Sequence, residues 1–370
     1  MHRRVRRLSA AAAAVVAAAS LALAACGSGD TADTTTRAAA APATRAADLG
    51  AIKAFLLDHT RRLTADTAGI RATAEQYDRL AARYDHDHAA MLRGDRAEAA
   101  SLVRRLQRGF TEANPSYEEM EGVVAGVPSL ADYDVAIDAG ADKSDPENAV
   151  SFSVKTEDGR VYEQPGNFNY LIETAAYGTE PRFAAKNVKP DLDGDGKVEF
   201  GEALPDAQFV SAAARQFEQT AGDLDADARA WTPTAQDALT ALVVMTPTMS
   251  EYFSAWKNSR AIAGDEATEK AFVAASRLQD ITDILGGLAL VYANIEPAIA
   301  EVDPAQARQT GADLTKLRDF AARLRDEEAS GKAFTAEDAD VLGTQAQKQA
   351  EAIAGQIAQA ARKLDIELES

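Results

Sequence analysis

The densest chemistry in the sequence lies between residues 191 and 202. Asp191, Asp193 and Asp195 alternate with Leu192 and Gly194, then come Gly196, Lys197, Glu199 and Glu202. This is the spacing of an EF-hand calcium loop. Three aspartates supply single oxygens, the Lys197 carbonyl supplies a backbone ligand, Glu199 acts directly or through water, and Glu202 closes the site with both oxygens. Calcium suits such an all-oxygen shell because it is hard and tolerates irregular coordination. Pro190 and Pro205 flank the loop, which argues against the usual entering and leaving helices. A single copy outside the cell would bind weakly, with Kd of order 10⁻⁴–10⁻³ M, and would act as a structural staple.

Two further pairs of acids sit at helical spacing. Glu118 and Glu121 are three apart and share a face, as do Asp280 and Asp283. Either pair is a solvated acidic face or a hard-cation site of the kind helices build inside bundles. His59 falls on an apolar stripe, where a hydrogen-bonded core histidine is the plainer reading. His86 and His88 fall near a helix junction. No HExxH, His-x-x-Glu, GxSxG, P-loop or dinucleotide fingerprint occurs, so the chemistries those motifs carry are not expected.

The elements that must position these groups are helices. Leu49, Ile52, Leu56, His59, Leu63, Ile70, Ala74, Tyr77 and Tyr84 recur at steps of three and four, giving a long helix to about Ala82. A second helix is expected from Ala97 to about Ala113, stopping before Pro115, and a short one over Tyr117–Ala125. Asp303-Pro304 caps and opens a helix with Leu314, Leu317, Phe320 and Leu324 inward. Thr335 with Asp338 forms a capping box for a last helix. Helices over about 234–262, kinked at Pro247, and about 266–296 complete a second bundle. Between the bundles Phe152 and Val154, Asp158-Gly159, and Val161-Tyr162 mark a small hairpin. The fold class is all-α, as two bundles over about 48–180 and 204–366 joined by the hairpin and the calcium loop. Alanine-rich, aromatic-poor composition agrees with close helix packing.

The N-terminus reads as an address. Arg3, Arg4, Arg6 and Arg7 precede an apolar stretch that ends at Leu23-Ala24-Ala25-Cys26, a bacterial lipobox pattern. Residues 1–25 are then a lipoprotein signal peptide, Cys26 is the lipid-attachment site, and residues 26–47 are a flexible tether. Lipidation of the single cysteine would remove disulfides, thiolate metal sites and cysteine nucleophiles together. The implied location is the extracytoplasmic face of the cell membrane, held by lipid. A formal net charge of −19 argues against nucleic acid, whose phosphates need a basic face.

Several segments resemble one family. Tyr117-Glu118-Glu119-Met120-Glu121 is similar to the Tyr-Glu-x-x-Glu helix of imelysin-like proteins, which include lipoproteins of bacterial iron uptake of the EfeO/EfeM type. Glu173-Thr174-Ala175-Ala176-Tyr177-Gly178 resembles the end of the family's Gly-x-His-x-x-Glu segment, and the run from Val244 to Arg260 also reads like a family segment. The chain departs from that pattern at two places: Tyr170, beside Asn169, stands at the histidine position and Phe168 at the glycine position. A tyrosine can ligate ferric iron as phenolate but replaces imidazole poorly on zinc. The resemblance therefore implies a two-bundle helical fold and a metal site of Glu118, Glu121, Tyr170 and Glu173, with iron as the ligand and an iron permease or other uptake component as partner. Peptidase activity of the imelysin type is the alternative reading, weakened by the absence of His-x-x-Glu. A calcium-stapled surface protein that binds another protein is the other.

Overall fold

In the computed structural model residues 46–369 are described. Helix α1 spans Leu49–Ala82, capped by the Asp48 carboxylate accepting from Ala51 N at 2.9 Å. The expected stripe from Ile52 to Tyr77 is its buried side, while Tyr84 lies in the turn beyond and its hydroxyl donates to Asp95. Helix α2 runs from His88 to Val124, with a break in helical geometry at Asp95. The expectation that it would stop before Pro115 is corrected. Phe110, Ala113, Asn114, Ser116, Tyr117 and Glu118 are all buried on both sides of the proline, so packing outweighs a lost backbone bond worth about 3 kcal/mol.

Helix α3 (Ala131–Asp134) runs directly into one turn of π-helix, Val135–Ala139, which ends at Gly140. Strands β1 (Ser153–Lys155) and β2 (Val161–Glu163) pair antiparallel, Val154 opposite Tyr162, and Gly159 takes the positive φ of the turn. Helix α4 (Phe168–Tyr177) is capped by Asn167 and stopped by left-handed Gly178. Helix α5 (Ala207–Ala230) packs against α1 and α4, so the first bundle resumes after the loop at 191–202 rather than ending near residue 180.

The second bundle contains α6 (Ala235–Met245), α7 (Met249–Asn258), the short α8 (Arg260–Ala263), α9 (Arg277–Val302), α10 (Pro304–Ala329) and α11 (Ala336–Lys363). Pro247 interrupts α6 and α7 with a short 3-10 turn, as expected of it. The Asp303-Pro304 start and the Thr335–Asp338 capping box are both present. The helix expected from residue 266 instead begins at Arg277 behind the Ser276 cap, because residues 267–276 carry no periodic apolar face and form an irregular segment.

The bundles meet along α2 and α9. That approach depends on glycine: a Cβ on Gly287 would stand 2.0 Å from the Glu119 carbonyl oxygen, and one on Gly122 would stand 2.6 Å from Leu288. The close seam sets Glu118 and Glu121 of α2 beside Asp280 of α9.

Candidate metal centre

Five parts of the chain meet around a cavity of about 790 Å³: α2, the π-helical turn, α4, the stretch from the end of α6 through α7, and the segment from 268 into α9. Glu121, Asp134, Asp138 and Asp280 line it, and Glu118 is buried beside them. Glu118, Glu121 and Asp138 each place one carboxylate oxygen within 4.8 Å of the others. Tyr252 donates to Glu121 Oε1 at 2.7 Å and Asn169 donates to Asp138 Oδ1 at 3.1 Å. Asn114 donates to Asp280 at 2.8 Å, and Tyr117 donates to Asp134 at 2.6 Å. These neutral donors fix where the carboxylates point. Glu118 Oε2 and Glu121 Oε2 are nonetheless buried without any hydrogen-bond partner.

Burial and mutual repulsion disfavour the charged forms. Burial, then the nearby Asp138 and Asp134, pushes Glu121 up to about 8. Burial raises Asp134 and Asp280 to about 7, and lifts Glu118 well above the usual carboxylate range with Asp280 adding to it. One buried cation offsets part of this: Arg277 lies 3.3 Å from Asp280 and 3.7 Å from both Glu118 and Asp138. Buried carboxylates gathered within 4.8 Å of one another, two of them with an oxygen that accepts no hydrogen bond, fit a cation, and an oxygen-only donor set fits a hard one.

The imelysin family model matches residues 105–360. The chain belongs to the imelysin family. The match covers every carboxylate of the acidic floor. Among solved structures, the iron-regulated protein A precursor of Parabacteroides distasonis is similar at 12% identity and a TM-score of 0.44, covering 88% of this chain and 97% of that one. A likeness at that level says nothing about what this chain binds. No curated protein sequence matches the chain.

Of the four metal residues expected in this imelysin-family chain, the structure brings Glu118 and Glu121 together and uses the other two differently. Glu173 lines the cavity, but its carboxylate accepts from Phe272 N, Val273 N and Ala274 N, each at 2.8 Å. Burial still dominates these bonds and raises it to about 7. The clamp holds Phe272 at φ +58°, a left-handed backbone uncommon for an aromatic residue. Tyr170 also faces the cavity, yet its hydroxyl donates to Glu180 at 3.0 Å, and burial raises the phenol above its ordinary range. Glu180 sits under Lys270 and Arg182, at 2.6 Å and 3.3 Å, so the mouth of the cavity is balanced in charge where the floor is not.

Asp138, which the expected set of Glu118, Glu121, Tyr170 and Glu173 did not include, is the residue whose carboxylate oxygen lies within 4.8 Å of those of Glu118 and Glu121. Sequence reasoning missed it because it sits in the π turn, where neither three- nor four-residue spacing describes its direction. The Asp134–Asp138 spacing and Arg277 three residues before Asp280 were the available signals. No histidine lines the cavity. His59 is a buried core residue bonded to the Phe55 carbonyl at 2.8 Å and to Glu119 at 2.5 Å, and His86 meets Asp78 at the α1–α2 junction.

The loop at 191–202 is irregular and has no helix on either side. Asp191, Asp193 and Asp195 each bring one oxygen within 4.8 Å of the others. Glu202 folds back over the loop, but both its oxygens accept backbone N–H groups, of Leu192, Asp193 and Glu199. Arg96 pairs with Asp191 at 3.3 Å. Asp193, Asp195, Lys197 and Glu199 are exposed. Residues 1–25, expected to form a signal peptide, Cys26 and most of the expected tether lie outside the described residues.

Proposed function

We propose that the chain captures a hard metal ion, iron in the first instance, on the acidic floor of this cavity, and passes it to a membrane permease. The observation that carries the reading is the pair of buried oxygens of Glu118 and Glu121 that accept no hydrogen bond, beside Asp138. Iron as the cargo follows from the likeness of the Tyr117–Glu121 helix to imelysin-like uptake proteins. Glu118, Glu121 and Asp138 would hold the ion, while Tyr252, Asn169 and Asn114 keep the carboxylates in place. An acid raised to about 8 holds its proton at neutral pH, so an arriving cation displaces it and binding tightens as pH rises. Attachment through Cys26 on the outer face and a calcium-filled loop at 191–202 complete the proposal.

The absence of histidine from the cavity lining weighs against the zinc-peptidase alternative. Titration of chelator-stripped protein with ferric nitrilotriacetate tests the site. Glu121→Gln should weaken binding at least about tenfold, since even the loss of a ligand's hydrogen-bonded support typically costs about 10–100-fold, with helical content unchanged. Equal binding by wild type and Glu121→Gln would show that the floor is not the site.

A further inference from the structure

Arg277 is the one cation among the groups on the cavity floor, and its surroundings are unusual. Its side chain is 7% exposed. The guanidinium lies 4.4 Å from the ring centroid of Tyr252 and 4.5 Å from that of Phe272. Phe272 is itself fixed by the three amide bonds to Glu173. Clamped between rings, the guanidinium cannot leave for solvent without dismantling that arrangement. Its nitrogens stand 3.3–3.7 Å from Asp280, Glu118 and Asp138, longer than the 2.7–2.9 Å of a committed charge-assisted pair. Its Nε has no partner at all. Arg277 is therefore a charge shared among several acids and bound closely to none.

We infer that Arg277 is a resident competitor of the captured ion: a fixed positive charge that weakens cation binding on the floor and so keeps capture reversible. The inference rests on the metal-capturing reading above. Fully ionised, Glu118, Glu121, Asp138 and Asp280 would hold a bare ion in a buried site with no easy release. One guanidinium at the same site repels every cation that enters, in proportion to the ion's charge. Removing it should tighten binding of all cations, and by half as much again on a logarithmic scale for a trivalent ion as for a divalent one. A purely structural arginine would give the opposite result, since losing it would loosen the site.

The test uses the full chain with the loop silenced by Asp193→Asn and Glu202→Gln. Manganese(II) alone is followed by electron paramagnetic resonance and terbium(III) alone by luminescence. Arg277→Met should bind manganese at least tenfold more tightly than its parent, bind terbium with the larger gain, and release both more slowly. Arg277→Lys, which keeps the charge, should stay within about threefold of the parent. If Arg277→Met does not fold, Arg277→Met with Asp280→Asn is compared with Asp280→Asn alone, and the double variant should bind more tightly. Unchanged or weaker binding on loss of the charge overturns the inference. If the parent binds neither ion, or Glu121→Gln binds as the parent does, the metal-capturing reading falls and this one with it.

Discussion

Replacing Glu173 by glutamine should stabilise the metal-free protein at alkaline pH, although it turns one of the two acceptor oxygens, the one that takes the Phe272 N–H, into an amide nitrogen. Burial raises this carboxyl to about 7 against an ordinary 4.5. Between those values the folded chain keeps a proton that the unfolded chain has lost. Stability must then fall as pH rises through that window, the reverse of a salt-bridged carboxylate. At about 1.4 kcal/mol per pH unit, the span from 4.5 to about 7 is worth about 3 kcal/mol. Glutamine has nothing to lose. Near pH 5 it imitates the neutral acid, and the two proteins should be of similar stability. By pH 8 the variant should lead by about 3 kcal/mol, or roughly 5 °C in melting temperature for a chain of this size. Urea denaturation in the presence of chelator, at half-unit steps from pH 5 to 8.5, measures the difference directly. A variant that loses ground to wild type as pH rises would show that the amides of Phe272, Val273 and Ala274 outweigh burial and keep Glu173 ionised.

Gly287→Ala would press a methyl group onto the Glu119 carbonyl oxygen at 2.0 Å, so α9 must move off α2. Overpacking of this kind costs about 1–3 kcal/mol, and denaturant midpoints should fall while an unchanged midpoint would show slack in the seam. Calcium at about ten times Kd should stabilise the chain by about 1.4 kcal/mol through residues 191–202. Glu202→Gln should erase that gain, and melting curves with and without millimolar calcium decide it. Cys26→Ser should release the protein from the membrane fraction, and continued sedimentation with membranes would contradict a lipid anchor at that residue.

The sequence made legible whatever depends on neighbours along the chain. The stripe of α1, the Asp303-Pro304 start, the Thr335–Asp338 box and the Asp158-Gly159 hairpin are local signals, and each has its element. Pro115 misled because a proline's local cost was weighed without the burial that surrounds it. The start of α9 was placed about ten residues too early because the apolar period that marks the helix begins only after the Ser276 cap. The same divide runs through the site. Glu118 and Glu121 could be paired by spacing alone, whereas Asp138 and Arg277 join them only through the packing of α2, α3, α4 and α9. Glu173 was picked out by resemblance and does lie at the cavity, but the amides that take up its oxygens come from a segment about a hundred positions away.

Asn114 reaches Asp280 across 166 positions of chain. Glu118, Glu121 and Asp138 lie within about twenty positions of one another, but Asp280 and Arg277 join them only from α9, so a nascent chain that stops before α9 has the acids of the floor without its resident cation. The segment from 118 to 138 alone carries Glu118, Glu121, Asp134 and Asp138, and in the folded chain the Arg277 guanidinium stands 3.7 Å from Glu118 and from Asp138. On the proposal that this floor holds a metal ion, an ion met before α9 closes would bind without competition from Arg277, so the surroundings in which the chain is made would influence the ion it first acquires. Refolding the chain in two different metal mixtures, then exchanging the mixtures, would reveal which surroundings left their mark.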